Sequence, residues 1–66
     1  MTYEEFKAIV HSVLTEAGRP LSWSEIKAIA GLPQKVPHNR WVRWLERDIG
    51  LVRDRSESGR TMWRIE

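Results

Sequence analysis

An α+β fold, with three helices followed by a β-hairpin, is what this 66-residue sequence predicts, and three observations carry the prediction. Two Ser/Thr-x-x-Glu patterns stand just ahead of apolar residues at helical spacing. A third run, Pro37 to Ile49, is apolar on one side of a helical wheel and basic on the other. Beyond Gly50, two β-compatible runs flank a short polar turn. No repeat, low-complexity tract or linker interrupts the chain, which reads as one domain over residues 1–66.

Thr2-x-x-Glu5 is a capping box, and Phe6, Ile9, Val10, Val13, Leu14 and Ala17 follow on one helical stripe until Gly18 stops it. The rest of that surface is polar (Lys7, His11, Ser12, Thr15, Glu16), which leaves no second apolar face for a dimer. Arg19-Pro20 forces a short extended segment near Leu21. Ser22-Trp23-Ser24-Glu25 is a second capping box, with Leu21 and Ile26 placed as a hydrophobic staple. The helix it opens is expected over Trp23 to about Ala30, burying Ile26, Ile29 and Ala30, with Trp23 as a lid on the core. Gly31 ends it and Leu32 folds back on Ile26.

Two prolines in Leu32-Pro33-Gln34-Lys35-Val36-Pro37 exclude a continuous helix and set the third helix at an angle, with Pro37 in its first turn. That helix, over about residues 37–49, turns Trp41, Val42, Leu45 and Ile49 to one side, with His38 near them, and Arg40, Arg43, Trp44 and Arg47 to the other. Arg53, Arg55 and Arg60 are expected at the tip of the 51–65 hairpin. Its alternation sends Trp63 and Ile65, with Val52, to the core.

Charge is divided between the halves. Residues 1–30 hold three Lys/Arg against four Glu, net −1, whereas residues 31–66 hold eight Lys/Arg against five Asp/Glu, net +3. Seven of those eight are arginine, whose planar fork suits phosphates and guanine edges. Three arginines around an indole, with Glu46 and Asp48 at the flanks, is the pattern of a helix that lies on a polyanion. The alternative is a solvated face in which Trp44 shields the core edge and the arginines pair with Glu46, Asp48 or Asp54.

Helix, extended link, helix, turn, basic helix and a hairpin ending in Trp63-Arg64-Ile65 resembles the winged helix-turn-helix DNA-binding domains over essentially the whole chain. The resemblance implies a third helix in the major groove of double-stranded DNA and a hairpin "wing" on the backbone or minor groove. Carried over to this sequence, the contacts are Asn39, Arg40, Arg43, Trp44 and Arg47 on the helix and Arg53, Arg55 and Arg60 on the wing, with Lys35 placed for a phosphate at the helix entry. A narrower resemblance, to the Zα class that binds left-handed nucleic acid, rests on Lys35, Asn39, Arg40 and Trp63. That class has a tyrosine in place of Arg43 and a proline in place of Thr61, so ordinary duplex DNA is the expected partner.

With no cysteine there is no disulfide or thiolate metal site. His11 and His38 lie on separate elements without a nucleophile or acid/base partner, and no Gly-rich phosphate loop occurs. An enzyme is not expected, nor a cofactor, metal or small-molecule substrate. Met1 to Glu5 lacks the basic and apolar regions of a leader, and no apolar run is long enough for a bilayer. The expectation is a cytoplasmic, DNA-associated protein with no membrane partner, monomeric or weakly dimeric, serving as a small transcriptional regulator or architectural factor. The competing expectation is a protein-docking module centred on Trp44 and its arginines.

Overall fold

Both capping boxes form in the computed structural model, which describes residues 1–35 and 39–65. The Glu5 amide donates to Thr2 Oγ1 (3.2 Å) and the Thr2 amide to Glu5 Oε1 (3.0 Å), opening α1 (Tyr3–Ala17). The same exchange joins Ser22 and Glu25, at 3.2 and 2.9 Å, and opens α2 (Trp23–Ala30). Backbone N–H donors hold both glutamates below the usual carboxylate range. Each helix start is therefore fixed by side chains three residues apart, before any long-range contact is made.

β1 (Leu21–Ser22) abuts α2 with no loop between them, so Ser22 is both strand end and N-cap. α3 (Asn39–Asp48) leads into the hairpin of β2 (Leu51–Arg55) and β3 (Thr61–Ile65). The sheet is antiparallel in the order β1-β3-β2, with Leu21 and Arg53 both opposite Trp63, and Leu51 opposite Ile65. The architecture is thus α+β, with three helices and a three-stranded sheet.

Phe6, Val10 and Leu14 of α1, Ile26 of α2 and Val42 and Leu45 of α3 converge with Leu21, Leu32, Leu51 and Trp63 in one core. Aromatic rings form its margin: Trp23 lies 5.3 Å from Trp63 and 6.1 Å from Phe6, and Trp41 lies 5.2 Å from Phe6. Trp41 is half-buried on that margin. The Leu32 amide donates to the Lys27 carbonyl (3.1 Å), and Leu32 joins Ile26 in the core, as expected of it.

Three expectations are corrected. Ile29 is 62% exposed. In so short a helix the core meets the Trp23, Ile26 and Ala30 side, and Ile29 stands about 100° away from Ala30 on the wheel. Val52 does not join Trp63 and Ile65. It lies opposite Arg64, on the outer face with Met62, and Leu51 takes the inner position. Arg53 is in the middle of β2 and not at the hairpin tip. The expected positions of Pro37 in the first turn of α3 and of His38 on its core side lie outside the described residues.

Candidate nucleic-acid interface

Burial of Val42 and Leu45 fixes the rotation of α3 and leaves Arg40, Arg43 and Arg47 exposed on the opposite side, with Asn39 also exposed at the helix start. Glu46 and Asp48 fall at the flanks. Each of them binds an arginine from the predicted set.

On one flank, Arg47 closes a two-pronged ion pair on Asp48, Nε to Oδ1 at 2.7 Å and Nη2 to Oδ2 at 3.2 Å. The Tyr3 hydroxyl of α1 donates to the same Oδ2 at 2.7 Å. The Arg47 and Tyr3 donors bring the Asp48 carboxyl down to about 2, and Asp48 in turn raises Arg47. Partial burial, with donation to Asp48, pushes the Tyr3 hydroxyl up to about 12. Trp44 is half-buried here, its ring edge-on to Tyr3 with centroids 4.9 Å apart. It is therefore a bracket between α1 and α3 as well as a neighbour of the arginines.

On the other flank, Glu46 reaches Arg53 of β2 at 3.6 Å. The Arg53 guanidinium also lies 6.0 Å from the centre of the Trp63 ring, within cation–π range. Arg53 thus links the hairpin to α3, a role its expected tip position concealed. Arg55 shares that face of β2, because pairing with Thr61 puts it two residues along from Arg53.

The turn that separates Arg55 from Arg60 is tightly bonded. The Ser56 amide donates to the Arg60 carbonyl (2.7 Å), and the Arg60 amide donates to Ser56 Oγ (3.2 Å). Lys35 is exposed, and its carbonyl accepts from Trp23 Nε1 at 3.2 Å, which ties its backbone to the start of α2. Of the seven predicted cations, Lys35, Arg40, Arg43, Arg55 and Arg60 have no ion pair among the described residues, whereas Arg47 and Arg53 do. Arg64, outside that set, pairs with Asp54 at 3.0 Å on the outer face of the sheet.

Two contributors escaped the sequence reading. Tyr3 had no role assigned, and Asp48 had only a generic one as a salt partner. They meet across 45 positions of sequence, a separation no local spacing encodes. The one available signal was a phenol in the first turn of a capped helix.

No protein-family model, curated protein or solved structure matches this chain. Among the described residues no group of three or more His, Cys, Asp or Glu side chains is arranged to hold a metal ion. No described helix is long and apolar enough to cross a membrane. The functional reading therefore rests on the chain's own chemistry.

Proposed function

We propose that the chain is a winged-helix domain that binds double-stranded DNA, with α3 against the major groove and the β2–β3 hairpin as the wing. The observation that carries the proposal is the sorting of charge on α3. Arg40 and Arg43 stand on the exposed side with no ion pair among the described residues, while both acids of the helix are drawn to its flanks. A solvated helix face mixes signs; this one is stripped of negative charge where a polyanion would lie. Arg55 and Arg60, at the ends of the bonded turn, extend the positive surface onto the hairpin.

In this reading Arg40 and Arg43 contact phosphates and guanine edges, Asn39 sits at the edge of the groove, and the hairpin arginines clamp the backbone. Arg43→Ala costs about 1–3 kcal/mol and relaxes preference at one base, whereas Arg55→Ala weakens all duplexes about equally. The five cations without an acid partner, each counting about 0.9, give a log–log salt slope of about −4.5, or roughly a 500-fold loss of affinity from 50 to 200 mM salt.

The test is an NMR titration of the labelled protein with a short random-sequence duplex at low and then moderate salt. Shifts gathered on Arg40, Arg43, Trp44, Arg47 and the 53–60 segment, fading steeply with salt, uphold the proposal. Silence of those residues at low salt refutes it. Trp44 braced against Tyr3 offers less indole than a docking anchor needs. Trp63, 1% exposed, is not available as the backbone contact of a left-handed duplex.

A further inference from the structure

The three arginines of α3 are not equivalent. A guanidinium has five N–H donors, and its Nε/Nη2 edge is one of those that pair side-on with a carboxylate, a phosphate or a guanine. Arg47 has that edge occupied by both oxygens of Asp48, at 2.7 and 3.2 Å. Asp48 cannot swing aside alone, because the Tyr3 hydroxyl holds it at 2.7 Å from another helix. Tyr3 is fixed in turn by the edge-on Trp44 ring, at 4.9 Å.

An isolated surface ion pair is loosely populated because two long side chains must be ordered to make it. Here the acid is short and its second partner comes from α1, so the pair is one link in a network spanning two helices. Arg40 and Arg43 have no such acid among the described residues.

We propose that Asp48, braced by Tyr3, is a positioning residue for Arg47. It withholds the side-on edge of Arg47 from an incoming phosphate and cancels its charge in the counterion balance. Arg47 then offers DNA only the outer N–H groups of its fork, in a fixed direction, while Arg40 and Arg43 make the adaptable contacts. This rests on the DNA-binding reading above.

Two measurements on the full chain test it. The first is the Nε–H signal of each α3 arginine without DNA. The Arg47 signal exchanges slowly with water in the native protein, faster in Tyr3→Phe, and as fast as those of Arg40 and Arg43 in Asp48→Asn. The second is anisotropy with a random duplex from 50 to 200 mM salt. Asp48→Asn frees one more phosphate contact, so its slope is steeper by about 0.9, which is roughly a 3.5-fold larger loss of affinity over that range. Glu16→Gln removes the same charge from α1, away from the proposed interface and without touching an arginine, and keeps the native slope.

An Arg47 signal that exchanges as fast as its neighbours' in the native protein overturns the inference. So does an Asp48→Asn slope equal to that of Glu16→Gln. Should Asp48→Asn fail to fold, Tyr3→Phe, which leaves the charge unchanged, carries the test through its faster Arg47 exchange. Native protein that binds no duplex at any salt refutes the DNA-binding reading instead, and the exchange comparison still decides whether Asp48 restrains Arg47.

Discussion

Arg53→Ala separates a structural arginine from a ligand-binding one. In β2, Arg53 lies opposite Trp63, 6.0 Å from the centre of its ring and 3.6 Å from Glu46 of α3. The cation–π contact at a partly exposed site contributes about 0.5–1 kcal/mol. With both side chains over a third exposed, the ion pair adds about 0.2–1 kcal/mol. Removing the arginine also removes the side chain directly opposite Trp63 in the strand pair. The expected loss is about 1–2 kcal/mol, which for a domain of this size lowers the melting temperature by roughly 5–15 °C. Circular dichroism melts measure that loss, and duplex binding well below the transition measures the rest. Arg55→Ala is the comparison: an unchanged melt with a salt slope shallower by about 0.9. If Arg53→Ala melts like the native protein and loses a full phosphate contact, the placement of Arg53 as a tie between hairpin and helix is wrong.

Three further outcomes follow from the packing and the charges. Trp63→Ala removes a fully buried ring at the centre of the sheet and costs about 3–5 kcal/mol; a chain this short has roughly 3–10 kcal/mol in total, so urea unfolding starts at or near zero denaturant. Gly50 has φ of 68° and open space where a Cβ would go, so Gly50→Ala costs about 1–2 kcal/mol from backbone conformation alone, read as a lower urea midpoint at an unchanged m-value. The one tyrosine of the chain gives a tyrosinate absorbance that rises near pH 12 and not near 10. Because the folded state holds that proton more tightly, its stabilising effect is complete below pH 10 and is lost from there to about 12. Asp48 works in the opposite sense: its contribution is complete above about 3.8 and is lost as pH falls toward 2. Tyr3→Phe flattens the alkaline limb, and a native alkaline limb identical to the variant's contradicts the Tyr3–Asp48 bond.

The starts of α1 and α2 were legible because their determinants are local. A Ser or Thr and a Glu three residues on satisfy each other's backbone whatever the rest of the chain does. The rotation of α3 was legible too, since Val42 and Leu45 share a side and the arginines occupy the other. The hairpin face was not. Leu51 and Val52 are adjacent and both apolar, so alternation alone does not say which points inward. Pairing of Trp63 with Arg53 decides it for Leu51, and a slip of one residue would have decided it for Val52. Ile29 failed for a related reason, since eight residues of α2 leave its rotation to the neighbours it packs on. At the interface, the sequence named the arginines but not which of them are bound. That distinction depends on Tyr3 reaching Asp48 and on Arg53 reaching Glu46, contacts made only once helices and sheet are assembled.

The strand in the middle of the sheet, β3, is also the last of the six elements to leave the ribosome. Until it arrives Leu21 has no strand to pair with, and Trp23 lacks the ring that lies beside it in the finished domain. The earlier segments are short helices with exposed apolar stripes, each marginal alone in water. The sheet is therefore complete only once β3 has been placed between β1 and β2. A domain cut short near residue 60 lacks its central strand, and the apolar residues that pack against Trp63 stay open to chaperones and proteases.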